Sequence, residues 1–174
     1  MSAADELVDV VGEDDRVLRR VSRAEMRRDN LLHRAVYLLV LNTRNQLFVH
    51  RRTTTKDVYR GYFDVTVGGV VDAGEDYDEA ACRELAEEVG ITGAAVVPLF
   101  PVRYADTSTQ LLGRAYLVQH DGPVTLQAEE IAWGAFVSLD EVERIIREEQ
   151  CCPDGVQVFR RWLAERSETL RTSS

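Results

Sequence analysis

A chain of 174 residues is long enough for one well-formed core and too short for two ordinary domains. With 45% hydrophobic and 29% charged residues, its composition is that of a globular protein, not a disordered or fibrous one. Its 21 Lys and Arg against 30 Asp and Glu leave a formal charge of −9. That argues against general nucleic-acid binding, while a local basic pocket or a bound cation still permits an anionic small substrate.

The opening MSAADELVDVVGEDD is acidic and lacks a basic segment ahead of an apolar stretch, so no signal peptide is expected. LVDVV (7–11) and VLRRV (17–21) read as short strands joined by the turn GEDD. Ser22 precedes RAEMRRD, a capped helical turn. HRAVYLLVLN (33–42) reads as a buried strand, and TRN turns it into QLFVHR (46–51), which makes a hairpin. The run AVYLLVL within it is far too short to cross a bilayer. RTTTKDVYRGYF (52–63), polar with interleaved aromatics, reads as a functional loop. DVTVGGVV (64–71) returns to strand. A helix then starts at Asp76, with Glu79 completing a capping-box pair, and ends at Gly90. Strands are expected near 95–104, 112–119 and 131–137, and helices over 139–149 and 156–166, before a frayed tail SETLRTSS. Strands with interspersed helices but no regular βαβ repeat indicate a single α/β or α+β domain built on a layered sheet. Cys82, Cys151 and Cys152 make neither an even-numbered disulfide framework nor a metal-type spacing, so ordinary thiols and a cytoplasmic protein are expected.

The segment GGVVDAGEDYDEAACRELAEEVGI (68–91) raises the chemical question. At about 100° per residue, Glu84, Glu87 and Glu88 project within an arc of roughly 100°, with the small Ala80 among them. Leu85, Val89, Cys82 and Ala86, with Ala81 at the edge, form the opposite face, expected to pack on the sheet. Close like charges disfavour one another's ionisation, and the C-terminal end of a helix makes them costlier. Arg83 offsets part of this and does not balance the cluster. Oxygen-rich carboxylate sites are what hard divalent cations prefer, so the pattern points to Mg²⁺ or Mn²⁺ escorting a phosphate-bearing substrate.

Gly69, five residues, Glu75, seven residues, Arg83–Glu84–Leu85, one residue, Glu87–Glu88, one residue and Gly90–Ile91 resembles the Nudix box at every defined position. The box covers residues 69–91. Wider similarity, from about residue 5 to 165, resembles the branch related to isopentenyl-diphosphate isomerase. The resemblance implies a single Nudix-type domain over 1–174, an α/β/α sandwich with a mixed sheet. It implies a divalent-metal-dependent hydrolase acting on an acid anhydride, the diphosphate bond of a nucleoside diphosphate linked to another moiety. Carried over by position, Glu84 and Glu88 are the principal metal ligands, Glu87 a further ligand or the water-activating base, and Gly69 a ligand through its carbonyl. Arg83 orients the glutamates, and Glu75 is structural. Arg51, Arg52, Lys56 and Arg60 supply positive charge for the phosphates, with Arg52 and Lys56 foremost. Tyr59, Tyr62, Phe63, Tyr104 and Trp133 are candidate base-stacking residues whose commoner role is packing. A homodimer follows from resemblance alone.

Two other readings compete. In an isomerase of isopentenyl diphosphate His33 would be a metal ligand, but the acid–base cysteine position is Gly68 and a histidine position is Val70. Without a proton donor His33 reads instead as a hydrogen-bonded strand-end residue. A non-catalytic nucleotide-binding module could lose its glutamates, yet all are present.

Overall fold

The computed structural model describes residues 3–172. The first strands, β1 (Leu7–Val11) and β2 (Val17–Ser22), form the expected antiparallel hairpin. Ser22 then accepts a hydrogen bond from Glu25 N and caps α1 (Arg23–Arg28). Next come β3 (Leu32–Leu41) and β4 (Gln46–Arg52), turned by Asn45 in the left-handed conformation at φ 60°. The short β5 (Phe63–Asp64) precedes α2 (Tyr77–Val89). Strands β6 (Val96–Ala105), β7 (Gln110–Gln119) and β8 (Ile131–Ser138) follow. The chain closes with α3 (Leu139–Glu148) and α4 (Pro153–Thr172).

The eight strands form one mixed sheet. β3 lies parallel to β7 through ten residue pairs, from Leu32↔Gln110 to Leu41↔Gln119, and the other ladders are antiparallel. Because side chains alternate across a strand, β3 feeds two cores. Tyr37, Leu39 and Leu41 pack with Val142, Ile145, Phe159 and Trp162 of α3 and α4. Val36, Leu38 and Val40 pack with Ala81, Leu85 and Val89 of α2 on the other side. The result is an α/β/α sandwich whose central strand is hydrophobic from Ala35 to Leu41 because both faces are covered there.

Two elements differ from expectation. Residues 64–71 are not a continuous strand: after β5 only Val67 and Val70 bridge β3, at Leu38 and Ala35. Gly68 between them has φ +146°, which breaks the pleat. β3 and β4 pair only at Leu41↔Leu47, and the segment after β5 fills the gap where they diverge. The frayed tail is also corrected: Pro153, fit for a first helical turn, starts a helix that runs on to Thr172. Residues 173 and 174 lie outside the described residues.

Candidate functional site

The capping box forms as read: Asp76 accepts from the backbone N–H groups of Asp78 and Glu79, and the Glu79 carboxylate accepts from Asp76 N. Such a cap contributes about 1 kcal/mol. Gly90, at φ 68°, closes the helix. The buried face of α2 is wider than expected and includes Ala80, Ala81, Glu84, Leu85, Glu88 and Val89, whereas Cys82 is exposed and Ala86 only half-buried. The acidic set is therefore split. Glu84 and Glu88 are 9% and 3% exposed, and Glu87 faces solvent.

Two cations compensate them. Arg83 donates through Nε and Nη2 to both Glu75 oxygens, each at 2.9 Å, and through Nη1 to Glu84 at 2.9 Å and Glu87 at 3.2 Å. Glu75 also accepts from Asp72 N, so it clamps the arginine that holds the other two. From across the cleft Lys56 reaches to 3.8 Å from Glu88 and pairs with Glu130. Glu88 further accepts from Gly68 N at 3.2 Å.

Burial, then the Glu84 charge, pushes the Glu88 carboxyl up to about 7 from an ordinary 4.5. Burial likewise raises Glu84, against the opposing pull of Arg83. A carboxyl raised on folding contributes stability that is complete below pH 4.5 and lost as the pH climbs through 7. In chelator, the melting temperature should therefore fall between pH 5 and 8, and Glu88→Gln should flatten that fall by the equivalent of roughly 1–3 kcal/mol. Thermal melts across that range are the check; parallel curves for the two proteins would refute it.

Glu84, Glu87 and Glu88 share a cleft of about 490 Å³ with Gly68, Gly69, Arg23, Arg27, Lys56, Arg60, Glu129 and Glu130. One wall is acidic and the opposing loop is basic. Oxygen donors of this kind suit a hard divalent cation, and Gly69 has no side chain to obstruct them: a Cβ there would lie 2.6 Å from Glu84 Oε1. The Gly69 carbonyl, whose role as ligand came from the resemblance, accepts from Val36 N at 2.9 Å, leaving one lone pair. Among the described residues no three acidic, histidine or cysteine side chains are gathered closely enough to hold an ion. Arg83 and Lys56 hold the carboxylates instead.

The basic residues separate. Lys56 and Arg60 line the cleft, whereas Arg52 lines a smaller cavity adjoining it, which Lys56 also borders. Arg51 does not line them. One residue along the pleat, it donates to Gly61 O and sits over the Phe63 ring. Arg23 and Arg27 of α1 were missed by sequence reading. Their spacing of four places both on one face, where they hold Asp57 of the loop at 3.0 and 2.8 Å. Burial alone would raise Asp57, but Arg27 and Arg23 hold it below the usual carboxylate range. Of the aromatic candidates only Tyr59 lines a cavity. Phe63 packs edge-on to Trp133, and Tyr104 donates to Asp106. His33 is buried with Nδ1 2.9 Å from Leu31 O, and burial lowers it to about 4, so it is neutral. The three cysteines are free, and burial raises the Cys151 thiol to about 11, away from reactivity. No helix among the described residues is long and apolar enough to cross a membrane.

The fold, the box and the cleft together define the class. Residues 31–154 match the NUDIX domain model, and the chain belongs to the Nudix hydrolase family, enzymes acting on phosphorus-containing anhydrides. It is 40% identical over 168 residues to an uncharacterised Nudix hydrolase of Streptomyces coelicolor, covering 95% of this chain and 93% of that one. Identity to YfcD of Escherichia coli, also an uncharacterised Nudix hydrolase, is 34% over 161 residues, covering 92% and 88%. A crystal structure of a Deinococcus radiodurans protein superimposes with a TM-score of 0.78 at 27% identity, covering 90% of this chain and 98% of that one. The NUDIX domain of Shewanella oneidensis NrtR, solved with ADP-ribose, shares the fold with a TM-score of 0.65 at 14% identity, covering 83% and 99%.

Proposed function

We propose that this enzyme is a divalent-metal-dependent hydrolase of the diphosphate bond in a nucleoside diphosphate linked to a second group. One observation carries the reading: the acidic face of α2 and the cations Arg23, Arg27, Lys56 and Arg60 meet across a single cleft. Glu84 and Glu88 would hold Mg²⁺ or Mn²⁺, which when bound neutralises phosphate oxygens and lowers the pKa of water. Arg83 fixes the glutamates, and the loop cations hold the phosphates. Glu87, exposed and held only by Arg83, is the carboxylate free to accept a proton from the attacking water. Water adds to one phosphorus, the bridging P–O bond breaks, and the bridging oxygen leaves with the other phosphate. A nucleotide derivative fits the chemistry of the cleft, and the Shewanella oneidensis domain, with ADP-ribose bound, is a case of this fold holding one.

Gly68 favours hydrolase over isomerase. Any Cβ at this position would lie 2.1 Å from Val36 O, so no acid–base side chain fits there. Incubation with Mg²⁺ and a panel of ADP-ribose, NADH, nucleoside triphosphates, CoA and isopentenyl diphosphate should give hydrolysis products by chromatography. Millimolar Mg²⁺ or Mn²⁺ should also raise the melting temperature, since ligands of the native state stabilise it. An allylic product without phosphate release, or binding with no product from any substrate, would overturn the proposal.

A further inference from the structure

Behind the cleft lies a second cavity of about 60 Å³, bordered by Arg23, Arg27, Lys56, Gly68 and Gly69, all of which the cleft shares. It sits where β3 and β4 diverge, and its lining combines the polar Tyr37, Arg52, Asp64, Thr66 and Asp154 with the apolar Ala35, Val36, Val58, Val70 and Leu111. The carboxylates come from distant parts of the chain. Asp64 ends β5, and Asp154 opens α4, whose Gly155 approaches so closely that a Cβ would lie 2.5 Å from Asp64 Oδ1. Tyr37 donates to Asp154 at 2.8 Å, and Thr66 donates to Asp64 at 2.9 Å through its hydroxyl. Arg52 lies 3.8 Å from Asp64, its side chain only 10% exposed, and its buried Nε has no hydrogen-bond partner. An unpaired buried donor costs about 1–3 kcal/mol, which is tolerable where a ligand completes the network.

Extending the hydrolase reading, we infer that this inner cavity receives the second group of the substrate, and that this group is a short polyol of about three carbons. The mouth of the cavity is Gly68 and Gly69 beside Lys56, so a chain entering from a diphosphate held in the cleft reaches the cavity directly. The volume admits about four to six water-sized groups, too few for a purine. An alkyl group would fit the apolar part of the lining but leave the buried Arg52 Nε without a partner. An ammonium group would face Arg23, Arg27, Arg52 and Lys56. Hydroxyls both donate and accept, and so satisfy Asp64, Asp154 and Arg52 together.

The test compares ADP-glycerol with ADP-2-methylbutyl ester, in which each hydroxyl becomes a methyl and the diphosphate bond is unchanged. With Mg²⁺, kcat/KM should favour ADP-glycerol by at least about tenfold, as sites built to hydrogen-bond a hydroxyl discriminate against its absence. Tyr37→Phe and Thr66→Val should raise KM for ADP-glycerol several-fold more than KM for the methylbutyl ester. Equal kcat/KM for the two esters, or a kcat lowered alike for both by either variant, overturns the inference and makes the network structural. Cleavage of ADP-ribose or a nucleoside triphosphate with neither ester cleaved overturns the inference and leaves the hydrolase reading standing. If nothing is cleaved, the hydrolase reading fails, and calorimetry in Ca²⁺ decides the cavity separately. Tighter binding of ADP-glycerol sustains it, and no binding or no preference overturns it.

Discussion

Glu88→Gln and Glu84→Gln are each expected to lower kcat by about 10²- to 10⁴-fold, the range for losing a group that holds or moves charge in the transition state. The two side chains are buried and line the cleft, whereas Glu87 beside them faces solvent. Loss of activity will not be loss of folding. Removing the Glu88 charge relieves a buried carboxyl whose ionisation is disfavoured by burial and by Glu84, so the metal-free variant should melt no lower than the parent at pH 8. Glu75→Gln should behave differently. It frees Arg83 without touching the acidic wall, and should cost roughly tenfold or more through misplacement of Glu84 and Glu87. Steady-state kinetics with circular dichroism on the same preparations separates these effects. Full activity in Glu88→Gln would remove the basis of the proposed reaction.

Gly68→Ala should lower stability by more than about 3 kcal/mol, a fall in melting temperature near 10 °C for a chain of this size. The added methyl meets Val36 O at 2.1 Å and the backbone sits at φ +146°, so neither side of the contact can yield cheaply. Two glycines give the contrast. Gly93→Ala, at φ +72° with nothing within 4 Å of the new Cβ, should cost only the conformational strain of about 1 kcal/mol. Gly69→Ala meets the far end of the Glu84 side chain, which can swing away, so it should fold and lose activity. Denaturant melts of the three variants would show this order; Gly68→Ala as mild as Gly93→Ala would contradict it.

Local signals in the sequence carried most of the fold. The Asp76–Glu79 box, Gly90, the turn at Asn45 and the Ser22 cap each involve residues within four positions, and each formed where it was read. The errors arose where tertiary contacts override local pattern. The alternation in residues 64–71 suggests a strand, but Gly68 spends its conformational freedom on a close approach to Val36. Glu84 and Glu88 project away from the face expected to pack on the sheet, yet Arg83, Lys56 and the Gly68 amide allow them inside. The grouping of Glu84, Glu87 and Glu88 along one cleft was legible because one helix turn brings them together. Asp64 and Asp154 are 90 positions apart and meet only through a helix docking on the sheet, and no spacing rule could pair them.

The long parallel seam between β3 and β7 bears on the order of assembly. Its partners are 78 positions apart, and the segment between them includes the loop, the box and α2. Zipping that seam demands a large loss of chain entropy before any contact repays it. The acidic wall of the cleft and Lys56 opposite it are thus caught inside one long loop, while Arg23, Arg27, Glu129 and Glu130 join them from outside it. Amides along Val36–Val40 should be the slowest to exchange with solvent deuterium, because exposing them requires the whole molecule to open.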